Sequence, residues 1–98
     1  MKIVHEPPAL QELAEATTYY AERSAGLAHY FVDDFDTTVA RIVEFPHAWP
    51  PVGRGVRRCL FAHFPYQLIY RVEGDEIRIY AVAHHKRKPR YWRKRLSK

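Results

Sequence analysis

The stretch "FPYQLIYRVEGDEIRIYAVAH", residues 64–84, decides the fold. "YQLIYRV" (66–72) and "EIRIYAVAH" (76–84) are rich in β-branched and aromatic residues with a period of two, and "VEGDEI" between them centres a tight turn on Gly74 and Asp75. That turn sets a register: Val72 opposite Ile77, Arg71 opposite Arg78, Tyr70 opposite Ile79, Ile69 opposite Tyr80, Leu68 opposite Ala81, Gln67 opposite Val82 and Tyr66 opposite Ala83. One face of this hairpin, from Val72 to Tyr66 and Ile77 to Ala83 in steps of two, is continuously apolar and needs a cover. The other carries Arg71, Arg78, Gln67, Tyr80 and His84 among Ile69 and Val82 and is half-apolar.

Upstream, "RRCLFAHF" (57–64) is a third strand candidate, and "KIVHE" (2–6) is a short one stopped by Pro7 and Pro8, which suit a first helical turn. Leu10, Leu13, Ala14, Thr17 and Ala21 then recur at helical spacing, with Glu12, Glu15 and Glu22 off the stripe, until Ser24–Gly26. Leu27, Phe31, Phe35, Val39 and Ile42 mark a second helix, closed by "FPHAWPP" (45–51). The two helices form an antiparallel hairpin able to cover the apolar sheet face. Downstream, Pro89 can open a short terminal helix in which Trp92 and Leu96, four apart, pin the chain back on the core.

Ninety-eight residues with 47% apolar content make a single α+β domain over 1–98. Apolar runs are short and the N-terminus turns polar at once, so a cytoplasmic protein without membrane span or signal peptide is expected. The single cysteine, Cys59, agrees with a reducing compartment and reads as a small core residue. Net charge is +5, but residues 1–49 hold three basic against eight acidic side chains (−5), and residues 50–98 thirteen against three (+10). A basic half of this density suits phosphate backbones or an acidic protein; the plainer alternative is solubility.

His84 and His85 point to opposite strand faces and do not chelate one ion, and "GRG" (53–55) lacks the spacing of a phosphate loop, so neither metal nor cofactor is expected. The tail from His85 ends in eight Lys or Arg residues with no acid among them. His85, Lys86, Arg87, Arg90, Tyr91 and Arg93, with Arg57 and Arg58 from a neighbouring strand, gather an imidazole, cations and a phenol. This is the chemistry of RNA binding, and of metal-free cleavage if His85, Arg87 and Tyr91 supply base, cation and acid. For Tyr91 a structural role weighs equally. Arg71 opposite Arg78 repels, so the pair with Tyr80 is a candidate contact for an acidic partner, unless Glu73 and Glu76 neutralise it at the hairpin tip.

The order strand, acidic helix hairpin, three strands and basic terminus, carried by "ALQELAEATTYYAERSAGLAHYFVDDFDTTVARIVEFPHAWP" and "GVRRCLFAHFPYQLIYRVEGDEIRIYAVAHHKRKPRYW", resembles the RelE/ParE superfamily of bacterial type II toxins, the plasmid-stabilisation proteins. The resemblance covers nearly the whole chain. It implies a helix hairpin on a curved antiparallel sheet and a cognate antitoxin, which Arg71, Arg78 and Tyr80 would bind. Two activities are implied: cleavage of mRNA in the ribosomal A site, with Tyr91 and Arg87 at the positions of the nucleolytic branch, which is the expected activity because dense cations stand with His85 and Tyr91, or, as the alternative, non-enzymatic block of DNA gyrase. A relative that only binds its partner is the third reading. Gln67 stands where nucleolytic relatives often carry arginine, and His85 or Arg58 would have to substitute.

Overall fold

A computed structural model describes residues 1–96; Lys98, the last of the eight terminal cations, lies outside the described residues. The chain runs β1 (Lys2–His5), α1 (Pro7–Ala21), α2 (Ala25–Glu44), β2 (Pro51–Gly53), β3 (Val56–Leu60), β4 (Tyr66–Glu73), β5 (Glu76–His84) and a terminal 3-10 helix (Tyr91–Leu96). Five strands form one sheet in the order β1-β5-β4-β3-β2, with the helix hairpin on one face.

The expected α+β fold is present, with two changes to the sheet. β1 runs parallel to β5, Lys2 pairing with Glu76 and His5 with Ile79, so the sheet is mixed rather than wholly antiparallel. β2 is an additional edge strand within a proline stretch that reads only as a helix stop; a missing N–H does no harm at an edge. The "GRG" segment is the β2–β3 turn, in which Gly53, Arg54 and Gly55 all take positive φ.

The β4–β5 register agrees with expectation from the turn to Tyr70–Ile79 and then shifts. Ile69 pairs with Ala81, Leu68 with Val82, Gln67 with Ala83 and Tyr66 with His84, leaving Tyr80 as the extra residue of a bulge. One inserted residue exchanges the faces of everything beyond it. Val82 thus joins the core under the helices, while Tyr80, Ala81 and Ala83 join a second core on the opposite face.

Helix α2 buries the expected stripe, with Phe31, Phe35 and Ile42 inward and Ser24 capping its N-terminus by accepting a hydrogen bond from the Leu27 N–H (3.0 Å). Helix α1 is rotated from the expected stripe. Ala9, Leu13, Ala16 and Tyr20 face the core, whereas Leu10 is 48% exposed. Alanines at the contact let α1 lie close to β5 and bring Glu12 inward. Phe31 is the centre of an aromatic cluster, its ring 5.2 Å from Phe64 and 5.1 Å from Tyr66. Cys59 is buried in the same core, as expected.

Burial pushes the Tyr66 and Tyr70 hydroxyls up from 10.0 to about 12, and Tyr70 donates to the Pro46 carbonyl at 2.6 Å. Both protons are held more tightly in the folded than in the unfolded chain. Stability from them is therefore whole below the ordinary tyrosine value of 10.0 and is lost as pH rises through about 12. We expect tyrosinate absorbance and loss of near-UV circular dichroism to rise together over that interval. Ionisation of all seven tyrosines with the fold intact would contradict it.

Candidate functional site

The terminal segment is placed by an edge. β1 shields β5 only as far as Ile79, whose carbonyl accepts the Glu6 N–H (2.9 Å); the chain then turns into α1 and leaves residues 80–84 of β5 without a strand on that side. Glu12 of α1 closes the gap. Its carboxylate accepts the Val82 N–H (3.0 Å), the Tyr91 hydroxyl (2.6 Å) and two N–H groups of Arg95 (2.8 and 3.0 Å). Arg95 in turn donates to the Tyr80 carbonyl (3.0 Å), so a carboxylate and a guanidinium satisfy the exposed strand edge together. Arg87 adds a longer ion pair to Glu12 at 3.8 Å and lies over the Tyr91 ring, 3.8 Å from its centroid.

This clasp folds the 3-10 helix onto the sheet face away from the hairpin. Trp92, 4% exposed, packs there with Ile69, Ala81 and Ala83, and Leu96 packs beside it. The expected pinning role of Trp92 and Leu96 is therefore what the structure shows. The second face is accordingly not the open half-apolar surface anticipated, because the chain's own terminus covers it.

Five of the candidate residues come together. Arg58, His85, Arg87, Arg90 and Tyr91 line one cavity of about 240 Å³, with Gln67 on its floor, and no lining residue is acidic. Arg90 takes a left-handed φ of 61° where the chain enters the 3-10 helix. His85 is exposed, with Nε2 3.2 Å from the Tyr66 carbonyl oxygen. Its neighbour His84 also lines the cavity and stands edge-on to the Tyr66 ring, and burial followed by the nearby Lys86 and His85 charges holds its imidazole below 6.5. Lys86 and Arg93 are exposed but line no part of the cavity.

Other candidates are separated. Arg57 does not join Arg58: neighbours on a strand face opposite ways, and Arg57 donates to the Trp49 carbonyl (2.8 Å). Arg71 and Arg78 do stand opposite each other. Arg78 contacts Glu6 (2.6 Å), Glu76 (2.6 Å) and Glu73 (3.4 Å), and Arg71 contacts Glu73 (3.3 Å) and the Arg54 carbonyl (3.0 Å). Tyr80, 5% exposed, accepts from Arg71 (3.4 Å) and donates to Glu73 (3.2 Å). The pair is balanced within the chain by Glu73 and Glu76, joined by Glu6 from the β1–α1 junction.

The Tyr91 hydroxyl is displaced well above 10.0, first by burial and then by its hydrogen bond to Glu12 and the carboxylate charge. Glu12 is the residue sequence reasoning missed. The signal was present: with Ala9, Leu13 and Ala16 it sits at three- and four-residue spacing on the inward face.

Residues 3–89 match a family model described as the ParE toxin of the type II toxin–antitoxin system parDE. Among solved structures, the fold is similar to a chain of the chromosomal ParDE TA system from P. aeruginosa, with a TM-score of 0.74 and 22% identity over 86% of this chain and 95% of that one. No curated protein matches the sequence significantly.

Proposed function

The chain belongs to the ParE toxin family of type II toxin–antitoxin systems, and from that premise we propose that it arrests growth by binding DNA gyrase rather than by cutting mRNA. The observation that carries this reading is the state of Tyr91. Its hydroxyl is donated to Glu12 at 2.6 Å and its proton is held far more tightly than in a free tyrosine. Acid catalysis of phosphodiester cleavage needs a proton that leaves readily for the departing oxygen. His85 and Arg87 are then left without the acid that Tyr91 would have to supply.

What the cavity retains is a binding surface. Arg58, Arg87 and Arg90 surround a concavity without a carboxylate, and Lys86 and Arg93 extend the positive field around it. Such a field draws an acidic protein surface or a protein–DNA complex into contact and fixes its orientation. Gyrase and its DNA place that action in the cytoplasm; among the described residues no helix is long and apolar enough to cross a membrane. A cognate antitoxin is the partner that holds the toxin silent.

Ribosome-dependent mRNA cleavage is the second reading, favoured by the meeting of His85, Arg87 and Tyr91 around one cavity. Two assays separate them: supercoiling by purified gyrase, and primer extension on mRNA with translating ribosomes. We expect blocked supercoiling and unbroken mRNA. Tyr91→Phe should leave gyrase inhibition within about threefold, because the ring and Trp92 stay in place. A proton-transfer role would instead show as codon-positioned breaks that fall roughly 10²-fold in Tyr91→Phe and His85→Ala. Such breaks with unimpaired gyrase would overturn the proposal, and a folded protein with neither effect would be an inactive partner-binding relative.

A further inference from the structure

Arg58 borders a second cavity. Between the end of α2 and the outer edge of β3 lies a groove of about 320 Å³, lined by Arg41, Trp49, Pro50, Arg58, Leu60 and Phe61. β2 pairs with β3 only at Val56 and Arg57, and one more bond joins the Arg58 N–H to the Pro50 carbonyl (3.0 Å). Among the described residues, Cys59 and Leu60 therefore have no strand on their outer side. The Leu60 carbonyl is met instead by a side chain, Arg41 Nη2 at 2.9 Å, and the Leu60 side chain stands 47% exposed.

Two features give the groove a chemical preference. Arg41 lines the groove with its Nη2 on the Leu60 carbonyl and on Thr38 Oγ1 (3.2 Å), and its guanidinium has no carboxylate partner among the described residues. Arg58 is exposed and its guanidinium has no carboxylate partner among the described residues. Beside these cations stand Trp49, Leu60 and Phe61, so the complementary ligand carries a carboxylate next to an apolar side chain. A nucleic acid supplies the charge without the peptide N–H and C=O groups that pair with a free strand edge. An acidic peptide segment supplies both, and it is the complement expected for a chain of net charge +5.

We infer that this groove is where the antitoxin docks, with an extended acidic segment laid along the free edge of β3, its carboxylate on Arg58 and Arg41 and its apolar side chain on Leu60 and Trp49. Because Arg58 also lines the cation cavity, a segment seated here removes that guanidinium from the surface assigned to the target. Neutralisation then follows from one shared side chain. This mechanism rests on the reading of the cavity as the target-binding surface, whereas the docking itself does not. Arg71 and Arg78, already balanced by Glu6, Glu73 and Glu76, offer an acidic segment less.

The test is calorimetric titration of the full-length toxin with the antitoxin encoded beside it, paired with amide hydrogen exchange. Leu60→Ser, at an exposed position outside the cation cavity, should weaken the complex roughly tenfold or more while gyrase inhibition is kept. Arg58→Glu should weaken both. Antitoxin should slow exchange at residues 58–61 in the unaltered protein, a readout independent of any variant. Unchanged affinity in Leu60→Ser, or no added protection at 58–61, overturns the inference. Loss of gyrase inhibition in Leu60→Ser overturns it too, by assigning the edge to the target. If the unaltered toxin leaves gyrase untouched, the proposed function falls, and the titration and exchange data still decide where the antitoxin sits.

Discussion

Glu12→Ala should lower the free energy of unfolding by up to about 3–5 kcal/mol, the range for removing one partner from a buried ion pair, reduced to the extent that water reaches this partly buried one. The Glu12 side chain is 11% exposed and that of Arg95 20%, and the substitution strands Arg95, the Tyr91 hydroxyl and the Val82 N–H at once. For a domain of this length a loss of that size corresponds to a fall in Tm of more than about 10 °C. Glu12→Gln keeps an oxygen for Val82 but loses the charge that Arg95 and Arg87 pair with, so it should lie between the two. Thermal unfolding by circular dichroism measures both. Limited proteolysis adds the direction: the variants should be cut first after Arg87–Arg95, where the clasp has opened. A loss below about 1 kcal/mol, with the terminus still protected, would mean that Trp92 alone holds the segment down.

Asp34→Ala should cost about 3 kcal/mol or more. This carboxylate is a buried side chain of α2 and accepts the N–H groups of Ala62 (3.1 Å), His63 (2.8 Å) and Phe64 (2.9 Å) in the connection between β3 and β4. Alanine leaves three donors without an acceptor, and each stranded group costs on the order of 1–3 kcal/mol, reduced where water enters the turn. Asp34→Asn retains one acceptor oxygen and should recover part of the loss. Urea unfolding gives the energies, and amide exchange at 62–64 should quicken in Asp34→Ala before the rest of the sheet responds. Exchange that quickens everywhere equally would show that Asp34 holds the whole fold rather than this turn.

Why α2 was legible and α1 was not is a matter of contrast. Phe31, Phe35 and Ile42 are large and stand against charged neighbours, so a single face suggests itself. In α1, Leu10, Ala14, Ala16, Tyr19 and Tyr20 put apolar groups nearly all round, and Glu12 was assigned to solvent by its charge when it in fact faces β5. The bulge was hidden for a related reason. "YAVA" (80–83) is apolar at every position, so a strand slipped by one residue leaves the pattern equally plausible. β1 could be recognised as a strand, but its parallel partner lies more than seventy residues away and leaves no local mark.

The site divides along similar lines. The gathering of Arg58, His85, Arg87, Arg90 and Tyr91 followed from strand order and a basic terminus. The placement of Arg57 did not, although alternation along β3 would have separated it from Arg58. Tyr91 was balanced between two roles in the sequence because its decisive neighbour, Glu12, stands 79 residues earlier. The compensation of Arg78 by Glu6 was likewise out of sight, since it depends on β1 lying beside β5.

The bond between residues 12 and 95 has a meaning for biosynthesis. A ribosome adding 5–20 residues per second needs about 4 to 17 s to travel the 83 positions between them. Throughout that time the strand edge that Glu12 and Arg95 close is incomplete. Glu12 and the helix hairpin it belongs to are therefore synthesised well before the segment that completes the cation cavity.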